Sequence, residues 1–334
     1  MSRLTIAEAL RAGLREEMNR DDRVFCIGED IGIPGGWGGA FTVTLGLEKG
    51  FRDRMIDTPI SENGFIGVAL GAALMGLRPV ADVQYSDFLF CAMDQIVNQV
   101  AKMRYMSGGK LTVPLVLRAP VGSTGRGAQH GQNPEALFLN VPGFKIVCPS
   151  TAYDAKGLLK AAIRDDNPVL MFEHKLLYGS KGARAETGSV DGSSEIPSED
   201  YTVPIGKGII RREGSDVTIV GTLLMAHYAL AAAELLAREG VSAEVIDPRS
   251  LVPFDWELVT KSVKKTSRLV VVTEGPKTGG VGAEIAATAS ELLSDYLTAP
   301  VKRVASPDIP TPFAPPMENY YRPDPKRIVA AIME

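Results

Sequence analysis

The sequence predicts an α/β protein of two domains, a parallel-sheet domain followed by a smaller α/β unit, and three observations carry that reading. Short apolar runs alternate with helical periodicity from the N-terminus onward. The periodicity lapses once, between about Tyr178 and Asp200, where Gly, Ser, Lys and Glu take over as in an exposed linker. Beyond that stretch the alternation resumes over a shorter length.

Thr5 and Glu8 form a capping box, and Ile6, Leu10, Leu14 and Met18 then recur on one helical face. Val24 to Ile27 is a buried parallel strand ended by Gly28, with the acidic pair Glu29 and Asp30 at its C-terminal end, where ligands gather in such sheets. Ser61 caps a helix whose run Ile66 to Leu77 is apolar or small on every side, so it is expected to be buried all round. Further strands are expected at Val80 to Val83, Pro114 to Leu117 and Val169 to Glu173, with helices at Ser86 to Arg104 and Ala152 to Arg164. In the second unit, strands at Asp216 to Val220, Ala243 to Ile246 and Leu269 to Thr273 alternate with helices at Ala226 to Glu239, Trp256 to Lys264 and Gly282 to Ser294. A closing helix spans Pro325 to Met333.

The 334 residues, 45% hydrophobic and 23% charged, are enough for two cores of ordinary domain size. A formal net charge of -4, with both signs mixed along the chain, offers no basic stripe for nucleic acid or an anionic membrane. No apolar run reaches the roughly 20 residues that a bilayer span requires. Cys26, Cys91 and Cys148 sit apart in apolar runs, which predicts buried thiols in a reducing compartment. The N-terminus lacks a secretory signal, so a cytoplasmic location is expected.

Four stretches could carry chemistry. Glu62, in the first turn of the small-residue helix, reads either as a carboxylate facing the helix dipole or as a desolvated carboxyl that shares a proton with a ligand nitrogen. Gln84 and Phe88 lie at a strand-to-helix junction, and Phe88 reads as a core aromatic or as a flat face for a ligand. Gly122 to Gln132 is a glycine-rich loop carrying His130, a structural histidine or an acid-base group. It lacks the Lys-Ser/Thr ending of a P-loop. Asp165-Asp166-Asn167 reads as a turn unless it is tied to an ion, and Gly279-Gly280-Val281-Gly282 lacks dinucleotide spacing.

Six ordered segments resemble one family: Gly28-Glu29-Asp30-Ile31-Gly32, Thr58-Pro59-Ile60-Ser61-Glu62, Phe88 with Asp94 to Asn98, Gln129 to Ala136, Asp247 to Pro253, and Thr278 to Glu284. In that order the chain resembles a beta subunit of the thiamine diphosphate-dependent 2-oxo acid dehydrogenases, transketolase-like enzymes that include the pyruvate, branched-chain and acetoin members. The resemblance implies a pyrimidine-binding transketolase-like domain over residues 1–185, a linker over 186–200 and a transketolase C-terminal-like domain over 201–334. It implies that Glu62 hydrogen-bonds the aminopyrimidine ring nitrogen, that Phe88 stacks on that ring, that Gln84 and Ile60 line its pocket, and that His130 orients or protonates the substrate. Gly131 stands where the family usually has serine. A potassium ion on a loop matching Leu115, Ala162, Ile163, Asp165 and Asn167 is also implied.

The resemblance further implies oxidative decarboxylation of a 2-oxo acid, pyruvate first, with acylation of a lipoyl group; an acetoin-cleaving or branched-chain beta subunit is the alternative. Glu173-His174-Lys175-Leu176-Leu177-Tyr178 resembles the pyruvate and acetoin types. Thiamine enzymes hold diphosphate and magnesium with a GDG motif, which this sequence lacks. The resemblance therefore places those groups on an alpha subunit in an α2β2 heterotetramer, docked on a lipoyl acyltransferase core.

Overall fold

The computed structural model describes residues 1–181 and 185–334, so part of the Tyr178 to Asp200 stretch lies outside the described residues. The chain falls into two compact units, Met1–Val121 with Asn140–Ile205, and Gly122–Leu139 with Gly206–Glu334. The loop and short helix at Gly122–Leu139 pack with the second unit, although they fall within residues 1–185, the expected extent of the first domain.

In the first unit, strands β1 (Ser2–Leu4), β2 (Val24–Gly28), β3 (Met55–Asp57), β4 (Arg78–Asp82), β5 (Val116–Val121), β6 (Lys145–Val147), β7 (Val169–His174) and β8 (Ser194–Ile196) are joined by three main helices. These are α1 (Ile6–Arg20), α2 (Glu62–Leu74) and α3 (Ala152–Arg164). The sheet order is β6-β7-β5-β4-β2-β3, and every pair is parallel. The apolar runs that marked β2, β5 and β7 are fully buried, as strands covered on both faces must be. Gly28 is required by this packing, because a Cβ there would lie 2.6 Å from the Asp82 carbonyl oxygen on the neighbouring strand.

The Thr5–Glu8 capping box forms, and the apolar face of α1 is buried. Below that face α1 and α3 are tied by ions: Arg164 reaches Glu17 at 2.6 Å and Asp200 at 3.0 Å, and the buried Lys160 faces both Glu16 and Asp200. Ser194–Ile196 forms a strand antiparallel to Ser2–Leu4 inside the segment read as a linker.

Three expectations change. Ser86 to Arg104 is not one α-helix but a 3₁₀ segment (Ser86–Ala92), a π segment (Asp94–Val100) and a short α-helix (Met103–Met106). Apolar spacing alone does not separate i+3, i+4 and i+5 bonding. Helix α2 is not buried all round: Phe65, Ile66, Ala69, Leu70 and Ala73 face the core, whereas Gly64, Val68, Gly71 and Met75 form an exposed stripe, with Val68 at 60% and Met75 at 85%. Its composition records an apolar surroundings that this chain supplies on one side only. Cys91 is exposed, while Cys26 and Cys148 are buried.

The second unit holds β9 (Ile209–Arg212), β10 (Val217–Gly221), β11 (Ala243–Asp247), β12 (Leu269–Pro276) and β13 (Lys302–Ser306), with helices α4 (Leu224–Arg238), α5 (Trp256–Thr266), α6 (Val281–Leu293) and α7 (Pro325–Met333). Its sheet runs β13-β12-β10-β11-β9, with only β9 antiparallel. The six expected elements from β10 to α6 and the closing helix fall within two or three residues of their predicted bounds. The edge strands β9 and β13 were missed, since neither is a continuous apolar run.

Candidate functional site

In the first unit the C-terminal ends of β2 and β4 and the start of α2 deliver one set of side chains. Glu62 is the first residue of α2 and only 8% exposed. Ser61 sits at the N-cap position, but its side chain makes no capping bond; the helix starts through Phe65 N–H donating to the Ser61 carbonyl at 3.0 Å. Glu29, just past β2, has a buried Oε1 with no hydrogen-bond partner. Burial pushes its carboxyl up to about 7, and the negative charge of Glu62 adds to the rise. The charge of Glu62 thus favours a proton on Glu29.

Gln84 does not present a free amide. Its Oε1 accepts from Ala40 N–H at 2.7 Å and its Nε2 donates to the Glu29 carbonyl at 3.3 Å, so it braces the loop that follows β2. The loop backbone passes so closely that a Cβ at Gly39 would lie 2.7 Å from that Nε2. Phe88, in the 3₁₀ turn after β4, is half-buried. Ile60 is 83% exposed, projecting from the turn before α2. Ile60 thus presents an apolar surface outward.

Behind Gln84 lies an ionic cluster at the strand ends. Arg118 on β5, 1% exposed, donates from Nη1 to Asp82 at 2.8 Å and from Nε and Nη2 to both oxygens of Glu173 at 2.8 and 2.6 Å. The Tyr178 hydroxyl donates to Glu173 at 2.5 Å, and its ring stacks on Phe41 with centroids 4.5 Å apart. Desolvation raises the Asp82 carboxyl above its ordinary value, and the Arg118 guanidinium opposes that rise. Lys175 Nζ lies 4.4 Å from the Tyr85 ring centroid.

The loop expected to hold a monovalent cation is already organised by side chains. Arg78 donates to the carbonyls of Ile163 at 2.9 Å and Asp165 at 3.1 Å, and Lys145 faces the Asp165 carboxylate. The Leu115 and Ala162 carbonyls accept backbone N–H groups from Val169 and Asp165, and Asn167 N–H donates to Asp165. The donors are oxygens suited to a hard cation, but each carbonyl offers only its second lone pair, beside two resident positive charges.

His130 belongs to the second unit, on the loop Gly122 to Gln132. Ser123 donates to the buried Glu274 from both N–H and hydroxyl, at 2.8 and 2.9 Å. Gly125 N–H donates to Glu318 at 2.6 Å. A Cβ at Gly131 would meet the Thr311 methyl at 2.9 Å and the Gly127 carbonyl at 3.1 Å, so the methyl of Thr311 occupies the room that a serine there would need. Burial also raises Glu135, just beyond the loop, to about 7.

With this geometry in place, the chain matches the family described as transketolase, pyrimidine binding domain, over residues 2–181, and that described as transketolase, C-terminal domain, over residues 206–328. It is 45% identical to the 2-oxoisovalerate dehydrogenase subunit beta of Bacillus subtilis (strain 168), covering 100% of this chain and 99% of the relative. It is 44% identical to the acetoin:2,6-dichlorophenolindophenol oxidoreductase subunit beta of Cupriavidus necator, covering 98% and 96%. The pyruvate dehydrogenase E1 component subunit beta of Porphyra purpurea is 45% identical, over 99% and 96%. The chain belongs to the beta subunits of the thiamine-dependent 2-oxo acid dehydrogenases.

Among solved structures, a beta-subunit fold of this kind aligns with a split gene transketolase, inactive beta4 tetramer, with a TM-score of 0.77 and 26% identity over 99% of this chain and 97% of that one. Relatives named for three different substrates stand at nearly equal identity, so overall similarity does not choose among them. The Glu173-to-Tyr178 motif does not choose either. Its polar residues are 1–2% exposed and Glu173 and Tyr178 belong to the Arg118 cluster, so the motif reports core packing of the beta subunit.

The sequence alone points to neither Arg118, Glu274 nor Glu318. Glu29 is marked in the sequence by its place directly after a buried parallel strand, where ligands gather, but its buried, partnerless oxygen shows only in the fold. Arg118, Glu274 and Glu318 carry no such mark, because a charge within or beside an apolar run becomes informative only when its partners are known.

Proposed function

We propose that this beta subunit contributes the pyrimidine-activating half of a site that decarboxylates a 2-oxo acid, pyruvate first, and passes the acyl group to a lipoyl arm. The observation that supports this most is the pairing of buried Glu62 with Glu29, one of whose oxygens is buried without a partner, in a chain that has no GDG motif. A ring nitrogen beside Glu62 is the kind of group such a pocket suits. Thiamine diphosphate, when bound, supplies the electron sink for loss of carbon dioxide. Glu62 holds a proton at the pyrimidine ring nitrogen, and Glu29 keeps the pocket rich in protons near neutral pH. Phe88 offers a flat face to the ring, Ile60 an apolar edge, and Gln84 fixes the loop from Glu29 to Ala40. His130 holds or moves a proton at the substrate oxygen.

The diphosphate, with its magnesium, is assigned to an alpha subunit in an α2β2 assembly. The exposed stripe of α2 and the outward Ile60 favour such a partner, since contiguous apolar surface of this kind usually meets another chain. Docking on a lipoyl acyltransferase core and a cytoplasmic location complete the reading. Potassium at Leu115, Ala162, Ile163, Asp165 and Asn167 would add to a loop that Arg78 and Lys145 already order. An acetoin-cleaving or branched-chain activity is the second reading, favoured by the identities of 44% and 45% to relatives of those names.

The test is turnover of this chain reconstituted with its alpha subunit and a lipoyl acceptor, across pyruvate, branched-chain 2-oxo acids and acetoin. Pyruvate is expected to give the highest kcat/KM. A higher value for acetoin or a branched acid selects the second reading, and inactivity with all of them refutes both.

A further inference from the structure

The loop that carries His130 has a composition that resists order. Gly125 and Gly127 adopt left-handed backbone, with φ of 71° and 77°, and six of the eleven residues from Gly122 to Gln132 are glycine, serine or threonine. Ordering such backbone costs about 1–2 kcal/mol per residue, and most for glycine. Something specific must hold it, and no sheet ladder does so within the loop. What holds it is a set of side chains drawn from two distant parts of the second unit. Glu274, at the end of β12 and 4% exposed, accepts both the N–H and the hydroxyl of Ser123 on one carboxylate oxygen, at 2.8 and 2.9 Å. Arg322 donates to the Ser123 carbonyl at 2.8 Å, so that residue is gripped through donor and acceptor alike. Glu318, 6% exposed on the short helix Pro315–Tyr321, accepts Gly125 N–H at 2.6 Å.

We propose that Glu274 and Glu318 are positioning residues for His130, acting through the backbone of its loop. The proposal rests on the role given to His130 above. A carboxylate accepting a backbone N–H makes a charge-assisted bond, roughly twice as strong as a neutral one, and a buried carboxylate is kept only where such bonds repay its desolvation. The backbone groups that these carboxylates hold, at Ser123 and Gly125, lie seven and five positions before His130. Closer to the histidine, His130 N–H donates to the Gly127 carbonyl at 3.3 Å, so a shift at Ser123 or Gly125 is transmitted along a short, glycine-hinged path.

The test compares Glu274→Ala, Glu318→Ala, Ser123→Ala and His130→Ala, with the doubles that combine each of the first three with His130→Ala, in the reconstituted enzyme. Ser123→Ala removes a single hydroxyl and guards against Glu274→Ala failing to fold. Each of the two carboxylate variants is expected to lower kcat by up to about 10²-fold, the cost of misplacing a catalytic group by about an ångström, with KM nearly unchanged. Each double is expected to be no slower than His130→Ala alone, and amide exchange is expected to rise over Gly122 to Gln132 but not in β10 or β12. Losses that multiply in the doubles, or unchanged exchange in the loop, overturn the proposal. Normal turnover by His130→Ala alone overturns the reading of His130 instead, and is recognised separately.

Discussion

Glu62→Gln is expected to lower turnover of the assembled enzyme by about 10²–10⁴-fold, the range that a positioned proton-transfer group contributes, while folding and assembly stay as they are. Glutamine matches glutamate in shape, and Glu62 stands at the start of α2 without an ion pair among the described residues, so the change removes a proton site and little packing. The neighbouring Glu29 carboxyl, raised to about 7, loses one source of that rise when the charge of Glu62 is gone, so its own pKa is expected to fall in the variant. The checks are steady-state kinetics on the reconstituted enzyme, and thermal unfolding of the isolated chain before and after substitution. Turnover within a few-fold of the unsubstituted enzyme would remove Glu62 from the proton path.

Arg118→Met carries the largest expected cost in stability. The guanidinium is 1% exposed and holds two buried carboxyls, Asp82 and Glu173, so its removal leaves uncompensated buried charge and is expected to destabilise the fold by roughly 3–5 kcal/mol. The penalty depends on pH in a definite direction. Asp82 is already raised above its ordinary value by desolvation, with Arg118 acting to lower it, and without Arg118 it rises further. A carboxyl whose folded pKa is raised favours the fold below its unfolded pKa and loses that contribution as pH climbs through the folded pKa. The variant should therefore lie closest to the parent in mildly acidic solution and furthest from it at pH 8, as read from urea denaturation at both. A loss of stability that is equal at the two would mean that packing, rather than charge, dominates at Arg118.

What the sequence made legible follows from periodicity. Buried parallel strands such as Val24–Gly28 and Val169–His174 are built on apolar runs of four residues, and the amphipathic helices α1, α3 and α5 begin at side-chain caps, so both kinds of element declare themselves locally. Edge strands did not, because β9 is half-buried throughout and β13 opens on two half-buried cations, so both mix charge with apolar residues. Asp94–Val100 was read as ordinary helix because a π turn keeps nearly the same apolar spacing. Helix α2 taught a different lesson. Its uniform apolarity was real, but half of it faces outward in this chain, so composition reported surroundings that one chain does not provide.

The candidate site divides along the same line. Glu62 and His130 were visible because motif order marked them, whereas Glu29, Arg118, Glu274 and Glu318 depend on pairings across 36 to 193 residues of sequence or on burial that no local pattern encodes. Gln84 was located but its work was not, since only the fold shows that its amide is taken up by Ala40 and Glu29. Gly131 was noted as a departure from the family; its physical reason, the Thr311 methyl, lies 180 residues away.

The central claim is that this chain supplies one half of a thiamine site and that the diphosphate is anchored on a partner. Calorimetric titration of thiamine diphosphate and magnesium into the isolated chain, and then into the chain assembled with its alpha subunit, tests it most directly. Weak binding to the chain alone is expected, and binding at least about 10²-fold tighter in the assembly, a difference of roughly 2.7 kcal/mol. Equally tight binding by the isolated chain would contradict that claim.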